Sequence, residues 1–201
     1  EKTEATAEAS NIQIPKMTSP KWKLLKSEFI ADLKIFQARF DYLLNPYSQK
    51  EVKVIVLEAN DAANIIAINK AGELLLVKQF RFGTQEYSLE IPGGFVDDGE
   101  EALQAAKREL IEETGYTSTN WEKLGTIYSN PVYQNAQIHH FIARDIEQTH
   151  STDFDDEEHI EIKFYSTEEL RKAAKENKIT HPHTLSALCR IYNLFGAKEL
   201  T

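Results

Sequence analysis

The first part of the chain is dominated by patterns typical of strands. Residues 22–58 contain two strand-rich segments, SEFIADLKIFQARFDYLL and EVKVIVLE, with a turn around residues 45–46. Two apolar runs in AANIIAINKAGELLLVKQF are joined by residues 69–72 and predict a β-hairpin. The segment YSLEIPGG predicts a short strand that ends at the Pro-Gly-Gly turn of residues 92–94.

The pattern then becomes helical. Residues 99–114 predict a helix, and Gly115 supplies a C-terminal stop. Glu109, Glu112 and Glu113 fall on about a quarter of the helix circumference, because each residue turns the helix by roughly 100°. The apolar positions that would pack into a core lie on the adjoining side: Leu103, Ala106 and Leu110.

This glutamate cluster is electrostatically unfavourable by itself. Like charges one turn apart on a helix repel each other weakly on an exposed surface, and more strongly where water is scarce. The three carboxylates lie beside the predicted core rather than around a solvated surface. We therefore expect a cationic group to compensate them.

Strands and helices are mixed in the rest of the chain. NWEKLGTIYS and QIHHFIARDI predict strands on either side of the loop NPVYQNA, and HIEIKFYS predicts a strand after the acidic loop STDFDDEE. Ser166 and Glu169 have capping-box spacing, so a helix should begin there and run to about Glu176. A last helix is predicted over residues 180–195, with Cys189 on its core side. These elements predict a layered α/β (α+β) fold.

Composition limits the partners. The 201 residues carry a formal net charge of −9, which argues against a nucleic-acid partner or an anionic membrane surface. There is no apolar run of the roughly 18 residues that a transmembrane helix needs. With one cysteine no internal disulfide is possible, and a reducing, cytoplasmic location is expected. Residues 1–21 suggest a flexible leader. Met17 is either the start of the ordinary polypeptide or an internal residue of a processed precursor.

The residues from Gly94 to Tyr116 carry a recognisable signature. Gly94, Glu100 and RELIEETG at residues 108–115 occupy the positions of G-x5-E-x7-R-E-U-x-E-E-x-G-U, with Tyr116 at the usually aliphatic last position. The chain thus resembles the Nudix hydrolases, whose Nudix box has this pattern. Seven fixed identities within 23 residues make the signal specific.

Three further features resemble the ADP-ribose pyrophosphatase branch of that family. LEIPGG at residues 89–94 is similar to the branch's L-E-x-P-A/G-G, and QFR at residues 79–81 is similar to its Q-Y/F-R. Pro131 lies sixteen residues beyond Gly115, where the branch carries a proline. The resemblance implies a Nudix α/β/α sandwich with a mixed sheet over residues 59–198. It also implies a small N-terminal antiparallel β-subdomain over residues 22–58 that often forms a homodimer.

The resemblance implies hydrolysis of a nucleoside diphosphate linked to another group, with Mg²⁺ or Mn²⁺ as the cofactor. Such cations would neutralise the diphosphate and acidify a bound water, which explains the glutamate cluster. Arg108 would orient the cluster by ion pairing, and Glu100 would anchor the preceding loop. The metal ligands implied by the family are the backbone carbonyl of Gly93 and the side chains of Glu109, Glu112, Glu113 and Glu158.

The remaining catalytic and substrate-binding candidates lie outside the box. In this branch a later loop often supplies the base that activates water, and the candidates here are Glu158, then Glu157 and Asp156, beside Glu112, Glu113 and Arg108 of the box. The substrate-binding candidates are Arg81 for phosphate, Glu90 for the terminal ribose, and Pro131 and Tyr133 for the pocket wall. The structural alternatives are a surface ion pair for Arg81, packing for Tyr133 and a solvated turn for most of the acidic loop.

The sequence positions of the histidines favour structural roles for them. His139 and His140 are neighbours on one predicted strand, so they face opposite sides and cannot readily share a metal ion. His181 and His183 flank a proline at a predicted helix start, which favours capping or solvent-exposed positions. Phe36 has no clear assignment, although an N-terminal aromatic residue of the partner chain can stack on adenine in this branch.

Three functions remain open from the sequence. The first is a Mg²⁺-dependent pyrophosphatase for ADP-ribose or a related ADP-sugar, giving AMP and a sugar phosphate. The second is a pyrophosphatase for another nucleoside diphosphate sugar, such as GDP-mannose. The third is a catalytically silent Nudix-fold sensor. The retained Glu109, Glu112 and Glu113 favour an enzyme, because silent modules typically lose box carboxylates.

Overall fold

The computed structural model describes residues 19–152 and 160–194. The strands are β1 (Lys23–Asp32), β2 (Gln37–Leu44), β3 (Glu51–Glu58), β4 (Ala62–Ile68), β5 (Leu74–Arg81), β6 (Glu86–Glu90), β7 (Gly93–Phe95), β8 (Tyr116–Thr117), β9 (Asn120–Tyr128), β10 (Gln137–Arg144), β11 (Glu147–Gln148) and β12 (Glu161–Tyr165). The helices are α1 (Ala102–Thr114), α2 (Thr167–Lys175) and α3 (Pro182–Leu188).

The N-terminal strands form a sheet of their own. β1, β2 and β3 pair antiparallel in that order, as the strand-rich pattern of residues 22–58 predicts. Almost every residue of β1 is exposed, including large apolar side chains such as Leu24 and Phe29. A sheet that leaves apolar side chains in water on this scale marks an interaction surface.

The larger sheet is mixed, which confirms the predicted fold class. Its strand order is β12-β5-β4-β10-β9, with β6 paired to β5 and β7 paired to β4. β10 runs parallel to β4, whereas its other neighbour β9 is antiparallel. The predicted hairpin is also present, because β4 and β5 pair antiparallel across a turn in which Gly72 donates its N–H to the Asn69 carbonyl.

Helices cover both faces of this sheet, as expected of an α/β/α sandwich. Successive residues of a strand point to opposite faces, so Ile65 packs in the cluster under α1 and Ile66 in the cluster under α2 and α3. From α1 come Ala105, Ala106 and Leu110. From α2 and α3 come Leu170, Ala173, Ala174, Ala187 and Leu188. Burial of these two layers fixes the sheet between its helices.

The C-terminal end of α1 and the N-terminal cap of α2 are confirmed, whereas α1 begins at Ala102 and not at residue 99. Gly115 follows α1 in the left-handed region at φ 74°, and its N–H donates to the Ile111 carbonyl over 2.7 Å. Its lack of a side chain also matters because a Cβ there would overlap the His150 carbonyl. The capping box is formed in both directions between Ser166 and Glu169.

The last helix is shorter than predicted. The sequence predicts a helix over residues 180–195, but α3 ends at Leu188. The next turn is tighter, with the Ile191 N–H bonded to the Leu188 carbonyl. Arg190 turns toward β9, where it donates to the Leu124 carbonyl over 3.2 Å. The assignment of Cys189 to a helix core is therefore wrong, since Cys189 is exposed at the helix end.

Some predictions fall outside the described residues. These are the leader up to residue 18, the acidic-loop residues 153–159 with Asp156, Glu157 and Glu158, and the chain after residue 194. Within the described ranges, no helix is both long and apolar enough to cross a membrane.

Candidate active site

The glycine pair at the start of the box brings a strand against the glutamate helix. Gly93 pairs with Asn64 of β4, and its N–H donates to Glu113 Oε2 over 3.0 Å. A Cβ on Gly93 would overlap Ala63 and Asn64, and one on Gly94 would overlap the Glu109 carboxylate. Glycine is required at both positions because backbone and carboxylates approach so closely.

Arg108 is the cation that the glutamate cluster requires within the chain. Its Nη1 donates to Glu109 Oε1 over 2.7 Å and to Glu112 Oε2 over 3.1 Å. Its Nε and Nη2 donate to the two oxygens of Glu100 over 3.2 and 3.0 Å, and Nη2 also donates to the Phe95 carbonyl over 2.9 Å. The planar guanidinium thus bridges three carboxylates and a strand end. The ion pairing predicted for Arg108 is present.

Glu100 anchors the loop before α1, as predicted. Besides its bonds to Arg108, its Oε2 accepts the Asp97 N–H over 3.1 Å. The hydrogen bonds from Arg108 and from the Asp97 backbone lower the pKa of Glu100, and the hydrogen bonds to Glu100, Glu109 and Glu112 raise the pKa of Arg108. This loop is therefore held by charge as well as by its turn.

The donor chemistry of the cluster fits a divalent cation. Hard divalent cations take carboxylate and carbonyl oxygens as ligands, and the four box glutamates outnumber the single guanidinium of Arg108. Within residues 19–152 and 160–194, no three acidic, histidine or cysteine side chains are already arranged around a metal position. In this arrangement Glu109 and Glu112 turn to Arg108, and Glu113 turns to the Gly93 N–H.

A cleft of about 500 Å³ adjoins the glycine pair. Its walls come from the box strand, the start of β4 with the residues before it, the hairpin between β5 and β6, the loop before β10, and the start of α3. Representative lining residues are Gly93, Gly94, Arg81, Tyr87, Ser129, Gln134, His181 and His183. Phe36 of the segment between β1 and β2 also lines it. The cleft is large enough for a nucleotide-sized ligand.

A charged wall stands on the hairpin side of the cleft. Arg81 donates from Nε to Glu90 Oε1 over 2.8 Å and from Nη2 to Glu90 Oε2 over 2.7 Å. The Arg81 side chain is 43% exposed, whereas that of Glu90 is 2% exposed. Burial tends to raise the pKa of Glu90, but the hydrogen bonds from Arg81 and the charge of His181 hold it below its ordinary value. Arg81 therefore faces the cleft with a carboxylate fixed behind it.

The expectation of capping or solvent-exposed roles for His181 and His183 is wrong. Both line the cleft, and His181 precedes α3 without capping it by a side-chain hydrogen bond. His181 Nδ1 lies 3.3 Å from Glu90 Oε2, and His183 Nε2 lies 3.4 Å from Ser129 Oγ. Burial lowers the pKa of both imidazoles. The H-P-H sequence before a helix was the available signal, but it does not reveal which strand the helix start meets.

The strand histidines behave as predicted. His140 is fully buried and His139 is partly buried, on opposite sides of β10. His139 Nε2 lies 3.1 Å from Asp61 Oδ2, and His140 Nε2 lies 3.0 Å from Ser186 Oγ of α3. The two rings thus tie β10 to different neighbours, and neither lines the cleft wall described above.

The cleft wall also contains a buried asparagine and part of the loop before β10, in which the sequence predicted Pro131 and Tyr133 as wall residues. Asn64 is buried, lines the cleft, and its Oδ1 has no hydrogen-bond partner among the described residues. In the loop before β10 the cleft wall is formed by Ser129 and Gln134. Pro131 and Tyr133 of the same loop are exposed beside it.

The fold and site define an α/β/α enzyme with a glutamate-rich helix beside an open cleft. The model of the NUDIX domain matches residues 58–188, so the chain belongs to the Nudix family. It is 29% identical over 140 residues to the ADP-ribose pyrophosphatase of Bacillus subtilis (strain 168), covering 69% of this chain and 76% of that one. The methanol dehydrogenase activator of Bacillus methanolicus is 27% identical over 167 residues, covering 83% and 90%.

The fold comparison agrees with the family assignment. The crystal structure of an ADP compounds hydrolase superposes with a TM-score of 0.77 at 22% identity, covering 86% of this chain and 92% of that one. Together with the sequence relatives, this fold identifies the chain as an enzyme of the Nudix hydrolase type, similar to ADP-ribose pyrophosphatases. Nudix hydrolases generally use divalent metals.

Proposed function

We propose that this chain hydrolyses the diphosphate bond of ADP-ribose or a related ADP-sugar in a Mg²⁺-dependent reaction. The products would be AMP and a sugar phosphate. The observation that carries the proposal is that one cleft has the Gly93–Gly94 backbone, which lies against the box carboxylates, as its first wall and Arg81 in its second wall. The box supplies clustered carboxylates at Gly93 and Gly94, and the β5–β6 hairpin supplies Arg81.

We assign metal binding to the first wall, which the box forms. Glu109, Glu112 and Glu113, with the backbone carbonyl of Gly93, would hold the cation, and Mn²⁺ is the expected substitute for Mg²⁺. A bound divalent cation would neutralise diphosphate oxygens and lower the pKa of a coordinated water. Arg108 keeps the carboxylates grouped when they would otherwise repel each other, because its five N–H donors reach several acceptors at once.

We assign recognition of the substrate's phosphate to the second wall. Arg81 lies on the cleft side, and a guanidinium forms strong charge-assisted bonds with phosphate oxygens. Glu90 is nearly inaccessible and has both oxygens bonded to Arg81. Holding Arg81 in place is therefore the role that we propose for Glu90, instead of direct contact with the terminal ribose.

The catalytic base remains a proposal on sequence grounds. Glu158, Glu157 and Asp156 lie outside the described residues. Their candidacy is supported by the strand that follows them, because β12 begins opposite Lys78 of β5. Arg81 is at the end of the same strand, so the described start of β12 lies three residues from Arg81 along the register of β5.

We further propose that the chain is a homodimer joined through β1–β3. Phe29 is 65% exposed and Ile35 is 59% exposed, and β1 is exposed along almost its whole length. A second copy of the same sheet would remove these side chains from water in a self-complementary contact. Phe36 connects this sheet to the cleft, so assembly and substrate binding would influence each other.

Product analysis tests the proposed reaction. Purified protein with Mg²⁺ would be incubated with ADP-ribose, ADP-glucose, GDP-mannose, NADH and diadenosine polyphosphates, and products would be separated by anion exchange. We expect AMP and ribose 5-phosphate from ADP-ribose, at a kcat/KM above that of the other compounds.

The other outcomes separate the alternatives. Preferential hydrolysis of GDP-mannose would retain the metal-dependent mechanism and reject the ADP-sugar assignment. Absence of turnover with both Mg²⁺ and Mn²⁺, combined with measurable ADP-ribose binding by calorimetry, would support a silent sensor and reject the enzymatic proposal.

A further inference from the structure

The start of α3 is connected to the charged wall of the cleft by side chains from distant parts of the sequence. His181 Nδ1 lies 3.3 Å from Glu90 Oε2 and 3.1 Å from Thr184 Oγ1. Thr184 Oγ1 also accepts the Ile91 N–H over 3.2 Å, so the helix start is fastened to the residue next to Glu90. These contacts hold the His181 ring at the carboxylate that supports Arg81.

His181 Nδ1 is within hydrogen-bond distance of Thr184 Oγ1 and lies 3.3 Å from Glu90 Oε2. A lone pair on Nδ1 would face the carboxylate and be repelled by it, so we expect the ring hydrogen on Nδ1, where it lies between Glu90 Oε2 and Thr184 Oγ1. Burial lowers the pKa of His181, opposed by the charge of Glu90, and the net direction is below the ordinary value. The neutral ring protonated on Nδ1 is therefore sufficient for the contact at neutral pH.

Glu90 is therefore contacted from two sides. Arg81 approaches from β5 and donates to both carboxylate oxygens, and His181 approaches from the start of α3. A buried carboxylate is strongly destabilised unless its oxygens are satisfied. With His181 on one side, the Glu90 carboxylate plane is fixed, and this in turn fixes the plane of the Arg81 guanidinium.

We propose that His181 is a positioning residue that acts through Glu90 to orient Arg81 toward an anionic phosphate group in the cleft. The inference rests on the proposed function, because it assigns the phosphate of the nucleotide sugar to Arg81. It predicts that His181 influences substrate affinity more than the chemical step. An interaction made equally with the substrate and the transition state changes KM and leaves kcat nearly constant.

A pair of isosteric replacements separates this role from general packing. The amide nitrogen of asparagine is the same number of bonds from Cα as His Nδ1, and the amide nitrogen of glutamine matches Nε2. H181N therefore retains a donor toward Glu90, whereas H181Q and H181A remove it. Steady-state kinetics with ADP-ribose would be measured for the wild type and the three variants.

We expect H181Q and H181A to raise KM about tenfold, which corresponds to about 1.4 kcal/mol, with kcat nearly unchanged. H181N should restore KM to within about threefold of the wild type, a difference of less than about 0.7 kcal/mol. Equal KM values for H181N and H181Q would overturn the proposal, and so would an effect confined to kcat. Circular dichroism of each variant distinguishes these results from misfolding, and the H181N and H181Q pair keeps the comparison valid if H181A does not fold.

A second readout is independent of the substrate. In ¹⁵N-labelled wild-type protein, the ring nitrogen shifts of His181, assigned by comparison with H181N, report which nitrogen carries the proton. An Nδ1–H tautomer is expected, and an Nε2–H tautomer would overturn the proposal even if ADP-ribose is hydrolysed. If ADP-ribose is not hydrolysed but the Nδ1–H tautomer is found, the proposed substrate fails separately. The same variants are then compared on the nucleotide sugar that the wild type does hydrolyse, with the same KM criterion.

Discussion

Replacement of His140 with glutamine tests how the buried layer behind the cleft responds to pH. His140 is fully buried. Ser186 donates its hydroxyl hydrogen to the His183 carbonyl over 2.9 Å, so Ser186 Oγ accepts from His140 Nε2–H. His140 Nδ1 then carries the lone pair and has no hydrogen-bond partner among the described residues. Protonation would place a charged N–H there without an acceptor.

The magnitude follows from linkage. Burial, assisted by the charges of Arg190, His183 and His139, lowers the pKa of His140 from 6.5 to about 4. The unfolded chain therefore binds more protons below pH 6.5, and the folded state loses stability as the pH falls from 6.5 toward 4. At pH 5 the unfolded histidine is almost fully protonated and the folded one is mostly neutral. The loss relative to pH 8 is about 2 kcal/mol.

The assay is urea denaturation at pH 8 and pH 5, followed by tryptophan fluorescence and circular dichroism. Glutamine retains an amide donor at the position of Nε2 and does not titrate. We expect the loss of unfolding free energy between the two pH values to be about 2 kcal/mol smaller in H140Q than in the wild type. All other residues are the same in both chains, so the difference isolates the contribution of position 140.

Ser186→Ala is the matched control because it removes the neighbouring hydroxyl but leaves the buried histidine. Burial is the largest cause of the lowered pKa of His140, so S186A should keep the wild-type pH dependence while losing some stability at both pH values. Equal losses of stability in the wild type and H140Q between pH 8 and pH 5 would refute the reasoning.

Three further predictions concern the site and the assembly. Glu113→Gln should lower kcat at least about 100-fold, equivalent to about 2.7 kcal/mol, whereas Glu147→Gln, which changes an exposed ion pair with Lys70, should not; near-normal turnover of metal-saturated E113Q would remove Glu113 from the mechanism. Mg²⁺ at about 100 times its Kd should stabilise the wild type by about 2.7 kcal/mol and raise Tm by about 5–10 °C, with a smaller shift in E113Q; an equal shift in E113Q and E147Q would place the metal elsewhere. Phe29→Glu should convert the proposed dimer to a monomer in multi-angle light scattering, and a monomeric wild type at assay concentrations would contradict the dimer itself.

The box half of the site is predictable because its determinants are local. The helical period groups Glu109, Glu112 and Glu113, and the stop at Gly115 follows from the need for a left-handed residue after the helix. Like-charge repulsion alone required a cation, and Arg108 is part of the same helix. Helix geometry determines all of these relations within a few turns, so no knowledge of the remaining chain was needed.

The wall formed by Arg81, Glu90 and the start of α3 depends on long-range contacts, which a local sequence pattern does not reveal. Ile91 and Thr184, whose bond fixes the start of α3, are 93 residues apart in sequence. His181 reaches Glu90 only because α3 packs on the face of the sheet opposite α1. The early end of α3 has the same origin, since Arg190 bonds to β9 and this contact overrides a sequence pattern that would allow the helix to continue.

The box contacts are local in sequence and the contacts of the opposite wall are long-range, and this contrast leads to an expectation about which residues select the substrate. Gly93 and Glu113 are 20 residues apart and form one strand–helix unit, and the carboxylates of that unit would act on the diphosphate that every candidate substrate contains. Arg81, His181 and Gln134 line the cleft from separate elements outside the box. We expect these elements to contact the base and the sugar, which are the parts that differ between the candidate substrates. We therefore expect Glu113→Gln to lower kcat/KM for ADP-ribose and GDP-mannose by similar factors. Gln134→Ala should instead change the ratio between the two substrates, because the side chain lies on the cleft wall outside the box. A Gln134→Ala variant with an unchanged ratio, alongside a Glu113→Gln variant with a changed one, would reverse this assignment of specificity.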